Sequence, residues 1–194
     1  DKSYELTFAE GKAPITLTPD MIAFEQKVKK VMEEKYVPNV IEPSFGIGRI
    51  IYCCWEHSFK MRSKERTYLH LPPKIAPYKC SILTVIPDPQ FDPIIDRLVT
   101  GLKKLGVSNK VDVSGQGIGK RYARTDEVGI PFGVTIDNDT LVDNTVTLRE
   151  IDTTLQVRVP LDEINQLIYN LSEETVKWEE VLQKYPAFTV ASKD

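Results

Sequence analysis

GQGIGKRYARTDEVGIPFGVTID, residues 115–137, runs from a glycine-rich turn into a basic helix and then into an apolar strand. Its three alternating glycines allow backbone N–H groups to approach a ligand closely. The basic residues Lys120, Arg121 and Arg124 follow before the first acid, Asp126. The stretch therefore predicts a β-to-α turn with a short surface that faces an anion.

Two nucleotide-binding motifs fail on spacing. A Walker loop needs Gly-x4-Gly-Lys-Ser/Thr, but Ser114 stands at the first glycine position and Arg121 at the hydroxyl position. A Rossmann fingerprint needs a third glycine where this chain has Lys120. A solvated basic helix after a glycine-rich turn is an equally good interpretation of these residues alone.

Strands and helices alternate on both sides of this stretch. Asp88 and Pro89 begin a helix whose apolar residues recur at helical spacing until Gly106 ends it. The order βαβαβββα predicts an α/β domain with a mixed five-stranded sheet flanked by helices and joined by right-handed crossovers. The predicted strands are 80–86, 111–113, 132–136, 145–149 and 155–159.

The first third of the chain has its own pattern. Thr18 and Pro19 are typical of a helix start, and apolar residues at helical spacing predict a core-facing helix to about Lys35. A second apolar helix is predicted after Arg49, with a buried face that includes Ile50, Ile51 and Trp55. Residues 60–79 hold six basic residues against one acid and three prolines, which is typical of a boundary between domains.

Composition limits the class of protein. The 194 residues are 41% hydrophobic and 27% charged, which excludes disordered and fibrous chains, and the apolar runs are too short to span a bilayer. The net charge of −3 argues against a chain that coats nucleic acid through its overall field, so a polyanion must meet a local patch.

The cysteines favour a reducing compartment, because three residues, of which Cys53 and Cys54 are adjacent, make a poor disulfide framework. We therefore expect a cytoplasmic protein, and an additional mitochondrial location stays open. Cys53 and His57 share one helix face, but no third ligand accompanies them and no metal site is predicted. The chain begins at Asp1 without a signal-peptide pattern, which favours a fragment of a longer protein.

Several ordered blocks carry a family resemblance. IEPSFGIGRI, residues 41–50, resembles motif 3 of the class II aminoacyl-tRNA synthetases in the form found in eukaryotic-type glycyl-tRNA synthetases. Residues 115–137 resemble that family's anticodon-binding domain, and IAPYKC at 75–80 and TLREID at 147–152 match further blocks. The resemblance implies a C-terminal fragment: residues 1–72 end the antiparallel catalytic domain, and residues 73–194 form the anticodon-binding domain.

The resemblance assigns roles in the first block. Glu42, Pro43 and Ser44 would contact the glycine substrate, and a carboxylate suits the α-ammonium group of an amino acid. Arg49 would stack on the adenine of ATP and fork onto its phosphates, as lysine could not. Gly46 and Gly48 would clear side chains from beneath the nucleotide.

The resemblance also assigns roles in the second block. Anticodon bases are single-stranded, so they can be splayed out, stacked on aromatic or arginine planes and read on their edges. Some residues suit the RNA backbone or a stacked base, and others have donors or acceptors for base edges. The first set is Lys120, Arg121, Tyr122 and Arg124, and the second is Glu127, Arg149 and Asp152. Asp126 and Glu127 are equally well interpreted as residues that cap the helix or pair with neighbouring arginines. For the basic segment 60–79, a contact with the tRNA stem and a solvated linker are equally good interpretations.

The implied parent is a glycine–tRNA ligase, a homodimer that activates glycine with ATP and Mg²⁺ and transfers it to tRNA(Gly). Motifs 1 and 2 are absent from this chain, so we expect the fragment to bind tRNA, to charge none and to hold no cofactor of its own. Two alternatives stay open: a non-catalytic synthetase-like accessory protein that binds nucleic acid, and a nucleotide-binding doubly wound domain.

Overall fold

The computed structural model describes residues 3–7 and 13–188. Residues 1–2, 8–12 and 189–194, which the predicted domain bounds include, lie outside the described residues. The chain divides into two compact units, Asp1–Ser44 and Phe45–Asp194, and each is described by itself. The predicted boundary near residue 72 stays a prediction.

The first unit contains little regular structure. Two short strands pair antiparallel, and a single 3-10 turn spans Pro19–Met21. The helix predicted to run to Lys35 is wrong, because residues 22–44 form neither helix nor strand. Its apolar side chains are exposed, as Phe24 and Val28 illustrate. An amphipathic helix takes most of its stability from packing of its apolar face, and in residues 3–7 and 13–44 nothing covers these side chains. The strands are β1 (Tyr4–Leu6) and β2 (Ile15–Leu17).

The second unit opens with a helix and a hairpin. Helix α1 (Ile47–Ser58) confirms the predicted helix, but its predicted buried face is wrong, because Ile50, Ile51 and Trp55 are exposed. The segment predicted as a linker begins instead with an antiparallel pair. Its strands are β3 (Phe59–Ser63) and β4 (Arg66–Leu69), with a register shift between Met61 and Ser63.

A five-stranded sheet organises the rest of the chain and confirms the predicted α/β fold. Its strands are β5 (Cys80–Thr84), β6 (Asn109–Asp112), β7 (Phe132–Ile136), β8 (Thr145–Glu150) and β9 (Gln156–Pro160). They stand in the order β6-β5-β7-β8-β9; β5 pairs parallel with β6 and β7, and the β7–β8 and β8–β9 pairings are antiparallel.

Helices cover this sheet, and their ends follow local sequence signals. The carboxylate of Asp88 accepts the Gln90 backbone N–H at 2.9 Å, and α2 ends where Gly106 adopts a φ of 73°. One core joins α2, α5, α6 and the sheet through residues such as Phe91, Leu98 and Ile168. The helices are α2 (Asp92–Lys104), α3 (Ile118–Glu127), α4 (Thr140–Asp143), α5 (Ile164–Ser172) and α6 (Trp178–Lys184). Every helix in the described residues is too short or too polar to cross a bilayer.

Candidate nucleic-acid interface

The glycine-rich turn lies between the end of β6 and the start of α3. A Cβ atom added at Gly115, Gly117 or Gly119 would meet no heavy atom within 4 Å, and none of the three has a positive φ. The fold itself therefore does not require glycine at these positions. Because glycine also permits close approach of another molecule to the backbone, the turn suits a ligand that contacts main-chain atoms.

Helix α3 presents a polar stripe to solvent. Lys120, Arg124 and Glu127 are exposed and recur at helical spacing. The Nη1 atom of Arg124 lies 3.5 Å from Oδ2 of Asp112, while about half of the arginine side chain stays accessible. Exposed pairs of this kind are weak, so Arg124 remains available to an external phosphate.

Arg121 corrects the predicted basic corner, because its side chain is completely buried. Its Nη1 atom donates to the carbonyl oxygen of Asp112 at 3.0 Å, and Nη2 donates to the carbonyl oxygens of Thr84 and Val85. These carbonyls stand at the carboxyl ends of β5 and β6. Arg121 therefore joins the ends of two parallel strands and is not placed to meet RNA.

Arg149 and Asp126 form a buried bidentate ion pair. The Nη1 and Nη2 atoms of Arg149 lie 2.8 and 3.0 Å from the two carboxylate oxygens of Asp126. The guanidinium also stacks 4.7 Å from the centroid of the Tyr122 ring, and the Tyr122 hydroxyl lies 2.5 Å from Oγ1 of Thr135. Burial raises the pKa of Tyr122. The alternative of acids that pair with neighbouring arginines is correct for Asp126, and the donors of Arg149 that face it are occupied.

Arg62 is a third member of this cluster, and the sequence interpretation missed it. Its Nη1 atom donates to Oδ2 of Asp126 at 2.9 Å, its Nη2 atom donates to the carbonyl oxygen of Ile151, and its guanidinium stacks 4.4 Å from the Tyr68 ring centroid. Apolar and polar residues alternate on either side of Lys64. This alternation could have indicated the hairpin that carries Arg62.

Asp152 lies at the opposite end of the strands from the glycine-rich turn, because antiparallel β8 ends where β7 begins. It is exposed, and its Oδ2 atom is 2.8 Å from Nδ1 of His70. Both residues line a cleft of about 560 Å³ that also contains Trp178. The seven residues predicted to meet RNA therefore do not form one site. Some are buried, and the others follow α3 from one end of the strands to the other.

The motif 3 block is described in two parts. Glu42, Pro43 and Ser44 are exposed and have no regular secondary structure. Gly46 precedes α1, and Gly48 and Arg49 stand in its first turn. A Cβ at Gly48 would meet nothing within 4 Å, and Arg49 has no ion-pair partner among the described residues. The helix start at these two residues is therefore open on the described side.

Cys53 and His57 line a shallow cleft of about 480 Å³ together with Arg49. In residues 3–7 and 13–188, no three histidine, cysteine or acidic side chains converge in a manner that suits a metal ion. The cleft is lined mainly by apolar atoms of α1 and of the segment after the hairpin, including Pro72 and Ile75.

Comparison with known proteins agrees with this architecture. Residues 79–171 match the anticodon binding domain family. The chain is 44% identical over 97% of its length to a glycine–tRNA ligase of Bombyx mori, and 42% identical over 86% of its length to glycine–tRNA ligase 1, mitochondrial, of Saccharomyces cerevisiae. It spans 26% and 24% of these relatives, so it corresponds to about a quarter of each.

A solved structure gives the same result for the fold. Prolyl-tRNA synthetase from Cryptosporidium parvum, complexed with L-proline and AMP, superposes on 55% of this chain and 23% of its own, with a TM-score of 0.52 and 25% identity. These comparisons confirm the resemblance that the sequence blocks indicated.

Proposed function

We propose that this chain, which belongs to the glycyl-tRNA synthetase family, recognises the anticodon region of tRNA(Gly). The observation that carries the proposal is the open glycine-rich turn, which needs no glycine for folding and stands beside exposed Lys120. Phosphate contacts supply most of the affinity of such a surface, and base contacts supply its specificity.

The exposed and buried residues take different parts. Lys120 and Arg124 hold the RNA backbone, and Glu127 offers an acceptor to a base edge. Arg149 and Tyr122 act indirectly. Arg149 of the sheet stacks on Tyr122 and pairs with Asp126, both in α3, and so supports the helix from its buried side. Asp152 meets RNA only if the ligand extends along α3 to the opposite end of the strands.

The whole protein is proposed to be a glycine–tRNA ligase. Glu42 and Ser44 would contact glycine, Arg49 with Gly46 and Gly48 would hold ATP, and Mg²⁺ would accompany the ATP phosphates. Catalysis would rest on positioning and on stabilisation of charge at the phosphoryl oxygens. We further propose that the parent is a homodimer that acts in the cytoplasm. The name of the yeast relative, which includes the word mitochondrial, supports an additional mitochondrial form.

A binding titration tests the anticodon proposal. The 194-residue chain is titrated against a tRNA(Gly) transcript and against the same transcript with its anticodon replaced. We expect tighter binding to the cognate transcript, by about 1–3 kcal/mol for each base that is read. Equal affinity for the two transcripts would refute anticodon recognition.

Aminoacylation separates the ligase from the accessory-protein alternative. A full-length parent should charge tRNA(Gly) with glycine, and Arg49→Ala should lower its kcat/KM for ATP. A parent that binds tRNA but forms no glycyl-adenylate would establish the accessory protein instead. Charging by the 194-residue chain alone would contradict the assignment of this fragment to tRNA recognition.

A further inference from the structure

The hairpin of β3 and β4 carries an unusual concentration of positive charge. Within residues 59–69 four basic side chains accompany a single acid, Glu65, although the whole chain has a net charge of −3. Lys60, Lys64 and Arg66 are exposed, and none of them forms an ion pair within the described residues. The hairpin is therefore a local positive patch that folding alone does not neutralise.

The hairpin lies along α3, with its tip beside the glycine-rich turn. Near the start of the helix, Nη2 of Arg66 reaches to 3.4 Å from the carbonyl oxygen of Gly119. Beyond the end of the helix, a Cβ added at Gly129 would stand 3.1 Å from the backbone oxygen of Leu69. Strand β4 thus runs beside α3 in the same direction, and the charged tip comes next to Lys120.

The position of this patch is fixed by buried contacts. Arg62 reaches from β3 to Asp126 of α3, where the carboxylate also binds Arg149 of β8. Asp126 is almost inaccessible to solvent, so the pair is hardly screened. A patch held in this way loses little conformational freedom when an anion binds, which favours affinity.

We propose that the β3–β4 hairpin is a second RNA-binding element, in which Lys64 and Arg66 hold phosphates of the tRNA backbone next to the nucleotides at the glycine-rich turn. The inference rests on the proposed function, which it extends from one element to two. Flexible basic side chains and an irregular tip give no fixed pattern for a base edge. The element therefore contributes affinity without sequence discrimination.

The test compares two double variants with the same change in charge. K64Q/R66Q neutralises the tip, and K103Q/K104Q neutralises two exposed lysines in the last turn of α2, which precedes β6 and so lies at the opposite end of that strand from the glycine-rich turn. Binding of the 194-residue chain to tRNA(Gly) is titrated at salt concentrations between about 50 and 200 mM. Over this range each phosphate contact makes the affinity fall measurably with salt. The same titrations use the transcript with a replaced anticodon.

We expect K64Q/R66Q to weaken binding of both transcripts about tenfold and to reduce the slope of log K against log salt by about 2, since each phosphate contact contributes about 1. The control variant should bind as the unaltered chain does. An unchanged affinity and slope for K64Q/R66Q would overturn the inference, and so would an equal loss in the control, because that would reveal only a general field.

Two further outcomes distinguish the inference from the function on which it rests. Equal affinity of the unaltered chain for both transcripts refutes anticodon recognition, while a reduced slope in K64Q/R66Q still supports the hairpin. A variant that loses only the preference for the cognate anticodon would overturn the phosphate role. If loss of the Arg66 contact with Gly119 unfolds the double variant, as circular dichroism would reveal, Lys64→Gln alone carries the test with a slope reduced by about 1.

Discussion

Helices α1 and α2 have similar amphipathic patterns and opposite environments. Leu98 and Leu102 of α2 are almost completely buried against the five-stranded sheet. Ile50 and Trp55 of α1 are about half exposed, and of the residues in α1 only Ser58 is buried. The sequence pattern of a helix therefore indicates which face is apolar but not whether the described fold contains a surface to cover it.

The hairpin that follows α1 differs from both helices, because its strands are largely exposed and yet attached to a neighbouring helix. Although it adjoins α1 in the chain, it is attached to α3 by Arg62 and by the close approach of Leu69 to Gly129. The environment thus changes within a few residues, from that of an exposed helix to that of a docked strand pair. Four experiments can break or sharpen this contrast.

The largest effect is expected at Asp126. Asp126→Asn should lower the free energy of unfolding by about 3–5 kcal/mol, because it leaves the buried guanidinium of Arg149 without its charge partner and weakens the attachment of Arg62. Urea denaturation measures the change. The control Asp152→Asn removes one member of an exposed pair with His70 and should cost less than about 1 kcal/mol. Equal losses would mean that burial of the cluster contributes nothing.

The second effect separates the two helices directly. Leu98→Ala should cost about 2–5 kcal/mol, because it removes a core side chain and leaves a cavity under α2. Ile51→Ala on exposed α1 should change the free energy of unfolding by no more than about 0.5 kcal/mol. Both values come from urea denaturation of the same chain. A large loss at Ile51 would show that α1 is covered in solution.

The third effect tests how tightly the hairpin is docked. Gly129 and Gly106 both have positive φ values, of 72° and 73°, so alanine is strained at either position by about 1–2 kcal/mol. A Cβ at Gly129 would also come within 3.1 Å of Cβ and of the backbone oxygen of Leu69 in β4, whereas one at Gly106 would meet nothing within 4 Å. Gly129→Ala should therefore lower the melting temperature more than Gly106→Ala. Identical losses would indicate a loosely docked hairpin.

The smallest effect is chemical and concerns the cysteines. Burial raises the pKa of the Cys80 thiol to about 12, so it stays neutral and should resist iodoacetamide at pH 8 until urea unfolds the chain. Exposed Cys53 should react at once, which mass spectrometry of the peptides would detect. The pKa of an unfolded thiol is about 8.5, below that of buried Cys80. The contribution of the neutral buried thiol to stability is therefore complete below pH ~8.5, and it is lost as the pH rises toward 12. Prompt labelling of Cys80 would contradict a closed core.

The sequence predicted the sheet domain well because its local signals agree with one another. Asp88 caps the turn that opens α2, Gly106 ends that helix, and the apolar run from Cys80 forms a fully buried interior strand. The helix predicted to reach Lys35 failed because periodicity is a weak signal without a packing partner. The hairpin was missed because its basic residues resemble a solvated linker until Arg62 is seen to reach Asp126.

What the sequence by itself determined was the order of strands and helices, the class of fold and the family, since these depend on the period of apolar residues and on ordered blocks of residues. Only the tertiary structure decided which cations face solvent. Arg121 and Lys120 are neighbours with the same charge, yet one is buried among the carbonyl oxygens of two strands and the other is exposed beside the hairpin. The physical reason is that a guanidinium finds its acceptors on strands distant in the chain, which only the folded sheet brings together.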